Sequence, residues 1–163
     1  MATQADEVQN RFGIQKLYIK DISFESPGSP DVFRKQWKPD VKMEMNAANA
    51  KIDEHLFEVV LTLTITAKME EETAFLVEVQ QAGIFEIQSN SEEEMKRAVG
   101  SFCPNILFPY ARETVDSLVT RGGFPPLMLA PVNFDALFLQ AQKDAESGQP
   151  SGGAAEPAST TEH

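Results

Sequence analysis

Apolar and polar positions alternate most regularly over residues 57–68. Phe57, Val59, Leu61, Leu63, Ile65 and Ala67 fall on one side, and Glu58, Val60, Thr62, Thr64, Thr66 and Lys68 on the other. A period of two over this length predicts a strand with one buried face. A shorter alternation sets Val41, Met43 and Met45 against Lys42, Glu44 and Asn46, and a third returns as Phe75, Val77 and Val79 after a Glu70-Glu71-Glu72 turn. Gly83 is expected to disturb the register of that last strand. Upstream, residues 15–25 carry Leu17, Tyr18, Ile19, Ile22 and Phe24. Both faces of a strand there are partly apolar, so it calls for cover on two sides or for an edge paired with another chain. The breaker Ser26-Pro27-Gly28-Ser29-Pro30 follows, then a loop with Val32, Phe33 and Trp37. The pattern predicts a four-stranded antiparallel meander or Greek key, its third and fourth strands forming a hairpin.

Helix signals come next. Ser91 with Glu94 three residues later is a capping box, and Glu92 and Glu93 place charge where a helix start favours it. Pro104 suits the first turn of a new helical segment, and Pro109 inside it predicts a kink. Arg121-Gly122-Gly123 is a helix stop. The stretch from Gly122 to Pro131 is too rich in proline for regular structure and too apolar to stand bare in water. Asn133 then caps a last helix whose Phe134, Leu137, Phe138 and Ala141 share one face, with Leu139 off it. The fold class is α+β, and the sticky end of the chain points to binding rather than chemistry.

With 163 residues the chain holds one core: a domain over residues 11–143 between flexible acidic tails at 1–10 and 144–163. The formal charge of −11 changes the picture, because −2 lies in residues 1–10 and −4 in residues 144–163, leaving −5 for the body. Ends and body are all acidic, which disfavours nucleic acid and anionic lipid and favours a basic protein partner. A single cysteine, Cys103, fits a reducing compartment, and the polar start does not resemble a signal peptide, so the expected location is the cytosol.

Candidate chemistry is thin. His55 and His163 lack ligand neighbours at metal spacing, so no metal site is expected. Gly122-Gly123 is not followed by the Lys and Ser/Thr of a phosphate loop. Cys103 precedes a proline at a helix start but reads as a small buried hydrophobe. With no nucleophile, base or metal set, catalysis and a cofactor are not expected. Binding features are clearer. Asp21 and Glu25 lie four apart on one strand and share a face with Ser23, while Leu76 and Glu78 share a face opposite Phe75, Val77 and Val79. If both strands expose one side of one sheet, an acidic patch forms around an apolar spot.

These segments resemble the SecB family of bacterial protein-export chaperones over roughly residues 12–140. The resemblance is carried by Lys20-Asp21-Ile22-Ser23-Phe24-Glu25, by the block from Glu71 to Phe85, by Cys103-Pro104-Asn105-Ile106-Leu107-Phe108-Pro109-Tyr110-Ala111-Arg112-Glu113, and by the block from Leu129 to Phe138. It implies a four-stranded antiparallel sheet with helices on one face, assembled as a dimer of dimers. It also implies an ATP-independent holdase that keeps secretory precursors unfolded and hands them to the SecA motor. By that likeness Asp21, Glu25, Leu76 and Glu78 dock the basic, zinc-bearing end of SecA, and Val77, Val79 and Gln81 serve tetramer integrity. The client groove uses Phe33, Trp37, Val41, Met43 and Met45 together with Phe134, Leu137 and Phe138. An alternative within the same fold is a chaperone dedicated to one client, such as an antitoxin.

Overall fold

In the computed structural model, which describes residues 10–148, the longest alternating run becomes β3 (Leu56–Met69). It pairs antiparallel with β2 (Asp40–Asp53) on one side and β4 (Glu72–Gln88) on the other. The first strand, β1 (Arg11–Glu25), lies against the far side of β4, so the sheet order is β1-β4-β3-β2. Of the two topologies the pattern allowed, this is the Greek key, because the long connection after β1 carries the chain across to the opposite edge. That connection holds a short 3-10 turn, Asp31–Arg34.

Side chains on one face of the sheet are sealed. Val59, Leu61, Leu63, Ile65 and Ala67 of β3 are fully buried, as are Phe75, Val77, Val79 and Phe85 of β4. Glu70 and Glu71 make the hairpin turn, with Glu70 at φ 57°. A bulge after Ala67 then turns both Ala74 and Phe75 inward.

Gly83 does not disturb the ladder: its pairings with Val59 and Leu17 stay in register. Its role is space, since a Cβ there would lie 2.6 Å from the Phe85 ring and 3.0 Å from Leu17. The bulges fall on β1 instead, between Ile14 and Lys16 and between Ile19 and Asp21. Each resets the alternation, so Leu17, Ile19, Ile22 and Phe24 all reach the helix side of the sheet. Of the five apolar residues expected on both faces, only Tyr18, opposite Ala82, faces the other side.

Over the sealed face runs one continuous helical segment: α1 (Glu92–Arg97), a π turn (Ala98–Phe102) and α2 (Cys103–Arg121). Ser91 caps it as expected, its hydroxyl accepting from Glu94 N–H. Pro104 starts no separate helix, because Cys103 N–H donates to Ala98 C=O and bridges the two parts. The helix also runs unbroken through Pro109. Leu107, Ala111, Val115 and Val119 form the buried stripe that packs on β3 and β4. An irregular stretch over residues 122–133 leads to α3 (Phe134–Ser147), capped by Asn133 through Ala136 N–H and closed by Gly148 in the left-handed region. Asp144 through Ser147 therefore belong to this helix and not to a tail. The remaining parts of the two expected tails, residues 1–9 and 149–163, lie outside the described residues.

Candidate functional site

The second bulge of β1 builds the acidic face. After it, Asp21, Ser23 and Glu25 stand opposite Gln80, Glu78 and Leu76 of β4, on the side away from the helices. Opposed strand residues have Cβ atoms about 5 Å apart, so Glu25 and Glu78 flank Leu76, and Asp21 lies two rows further along the same face, opposite Gln80. The patch that the sequence made conditional on a shared face is a patch. On the next strand Thr64 and Thr66 oppose Glu78 and Leu76, and Thr64 Oγ1 donates to Glu78 Oε2 at 3.1 Å. Sequence reasoning missed Thr64, although its place in the polar half of the longest alternation was the available signal.

Further along the same face lies a second cluster. The Tyr18 hydroxyl donates to Glu58, and Lys20 Nζ meets Glu58 Oε1 at 2.7 Å. Burial first, and then the Glu58 carboxylate, push the Tyr18 phenol up to about 12. The Lys20 and Tyr18 hydrogen bonds hold Glu58 below its ordinary value.

On the helix side, α2 covers β3 and β4 and leaves β2 half open. Val41, Met43 and Met45 are half-buried there, opposite Ala67, Ile65 and Leu63. At one end of this strip stands an aromatic cluster. Phe124 is buried, with ring centroids 5.1 Å from Phe33, 5.3 Å from Trp37 and 5.0 Å from Phe75. Phe124 is the hub that sequence reasoning passed over; its signal was an aromatic between two glycines and two prolines. Leu127 N–H donates to Asp116 Oδ1, which ties the irregular stretch to α2 and leaves Met128 79% exposed with φ 49°.

The α3 residues expected in the client groove differ from one another in exposure. Phe134 is 5% exposed and packs edge-on against Phe108, so it anchors the helix. Phe138 presses against Gly100 in the π turn, where a Cβ would lie 2.6 Å from its ring. Leu137, expected on the same face, is 44% exposed instead. The N-terminus of α3 is clamped by Asp135, which accepts from Arg97 Nε and Nη2 and from Ser101 Oγ at 3.1 Å. These contacts hold the Asp135 carboxyl below its ordinary value, Arg97 contributing most.

Val77 and Val79 are fully buried beneath α2 and Gln81 is nearly so, its Nε2 donating to Tyr18 C=O. His55 sits in the turn between β2 and β3, 4.0 Å from Glu54. Among the described residues no group of three or more His, Cys, Asp and Glu side chains converges as metal ligands, and no helix is long and apolar enough to cross a membrane.

Comparison with known proteins adds an independent line. The family described as preprotein translocase subunit SecB matches residues 5–145. Three relatives are each named protein-export protein SecB. That of Hahella chejuensis is 53% identical over 93% of this chain and 92% of its own. That of Methylococcus capsulatus is 52% identical over 92% and 99%, and that of Nitrosococcus oceani 55% over 85% and 86%. Among solved structures, the Mycobacterium tuberculosis Rv1957 SecB-like chaperone, in complex with a ChAD peptide from the HigA1 antitoxin, superposes with a TM-score of 0.63. It covers 75% of this chain and 91% of its own at 19% identity, a likeness of fold. With the matched family spanning nearly all of the described residues, and relatives above half identity over most of their length, this chain belongs to the SecB family.

Proposed function

We propose that this chain is a protein-export chaperone that holds unfolded secretory precursors in the cytosol and delivers them to SecA without consuming nucleotide. The observation that carries the reading is the pairing of two surfaces on one sheet. One is an open apolar strip of Trp37, Val41, Met43 and Met45; the other is an acidic face around Leu76 on the opposite side. An unfolded client has no fixed shape, so its affinity comes from many adaptable contacts, which methionine and aromatic side chains supply. The acidic face complements a cationic partner, and separation of the two surfaces lets the motor bind while a client is held. Asp21, Glu25, Leu76 and Glu78 dock SecA's basic, zinc-bearing end; Phe33, Trp37, Val41, Met43 and Met45 receive the client. The relatives named for export are more than half identical, whereas the antitoxin-bound neighbour is 19% identical, which favours export over a dedicated antitoxin client.

Assembly as a dimer of dimers is part of the same proposal. β1 is an edge strand, and its Ile14, Ile19 and Ile22 remain close to half exposed in a single copy. Apolar edges of this kind are pairing surfaces. Val77, Val79 and Gln81 act on assembly from within, by setting how α2 sits on the sheet.

The test is suppression of aggregation of a chemically denatured precursor at near-stoichiometric ratios, with light scattering reporting four copies per particle. Loss of suppression in Trp37→Ala/Met43→Ser, with SecA binding retained, supports the assignment. A wild-type protein that leaves aggregation unchanged overturns it.

A further inference from the structure

We infer that Thr64 holds Glu78 in the geometry a cationic partner engages, which extends the docking face from β1 and β4 onto β3. The inference rests on the reading that this face receives the basic end of SecA. Thr64 stands directly opposite Glu78 in the ladder, and its hydroxyl donates to Oε2 at 3.1 Å. A carboxylate offers about four lone-pair sites over two oxygens, so Oε1 is left for a partner's N–H while Oε2 is fixed. The rotamer freedom that Glu78 would lose on docking is thus already lost in the free protein.

Charge bookkeeping on this face points the same way. Lys20 on β1 is paired with Glu58 at 2.7 Å, and Lys42 on β2 with Glu44 at 2.7 Å. Among the described residues no Lys or Arg pairs with Asp21, Glu25 or Glu78, so these three carboxylates remain uncompensated. Lys20 and Lys42 are held by other acids, Lys68, two residues beyond Thr66, forms no ion pair with any of the three, and Thr64 supplies the neutral donor that orients Glu78 without quenching its charge. A lysine at this position would satisfy Glu78 internally and remove it from recognition.

The experiment titrates the zinc-loaded C-terminal peptide of SecA onto the full chain by calorimetry, at several salt concentrations. Thr64→Val keeps the shape and removes the hydroxyl; it is expected to weaken Kd by about five-fold, with the slope of log Kd against log salt unchanged. Thr64→Ser restores wild-type binding. Glu78→Gln weakens Kd and also flattens the salt slope, because a charge is gone. The melting temperature of Thr64→Val stays at or above that of wild type, which separates positioning from a fold defect. Wild-type affinity in Thr64→Val overturns the inference, as does failure of Thr64→Ser to restore binding. If Glu78→Gln also binds like wild type, it is the docking reading of the face that fails.

Discussion

The tip of the Phe24 ring lies against Gly122, so close that a Cβ on residue 122 would come within 2.2 Å of its Cζ. The glycine is required for this contact and not for its backbone, whose φ of −72° any residue adopts. Phe24 is held from behind by Phe75 and from the side by Phe124, at centroid distances of 6.0 and 6.4 Å. The end of β1 and the end of α2 are therefore locked by one aromatic–glycine contact, beside the strip assigned to clients.

Gly122→Ala is expected to destabilise the fold by about 1–3 kcal/mol, the usual range for overpacking. The same change in a Phe24→Ala background costs much less, because the ring it strikes is absent. Urea unfolding of the four proteins gives the coupling directly.

Helix α3 is held by its first turns, through Phe134, Phe138 on Gly100, and the Arg97–Asp135 clamp. Gly100→Ala and Arg97→Ala are each expected to make α3 more susceptible to limited proteolysis, while the global unfolding midpoint moves little. A cut-site map that is identical to wild type shows that α3 does not depend on these contacts.

The clamp also has a pH sign. Asp135 has its carboxyl lowered below the ordinary 3.8, so its contribution is complete above that value and is lost as pH falls through the lowered one. Hydrogen exchange of the first turn of α3 is expected to rise in that acid range. In Arg97→Ala the rise begins at higher pH.

Tyr18 behaves in the opposite sense. Its phenol is raised to about 12, so its stabilising share is intact below the ordinary 10 and disappears as pH climbs through about 12. In a Tyr110→Phe background, ultraviolet titration is expected to place Tyr18 near 12, and Glu58→Gln to bring it down. An ordinary midpoint in the first protein shows that the Tyr18–Glu58 bond does not form.

Cys103 is fully buried, and burial pushes its thiol to about 12. At pH 8 a disulfide reagent is expected to react with the native chain only as fast as the chain opens. Fast labelling without denaturant shows that the helix start is not sealed.

Strand period, the Ser91 and Asn133 caps and the Pro/Gly punctuation are properties of neighbouring residues, so the four strands, the last helix and the irregular stretch before it were legible in the chain. So were the members of the acidic face, because each strand's alternation sorts its own residues. What neighbours do not encode is parity across a bulge and the partner across a ladder. The two β1 bulges turn Leu17, Ile19, Ile22 and Phe24 to one side, and their positions are set by pairing with β4. Gly83 and Gly122 are ordinary glycines until Phe85 and Phe24 arrive from elsewhere. Phe134, Leu137 and Phe138 have helical spacing for one face, yet only contact with Phe108 and Gly100 decides which of them is buried. Local order along the chain sets which positions are apolar and where turns can form. Which of those apolar residues are sealed and which carboxylates meet depends on atoms that folding brings together from distant positions.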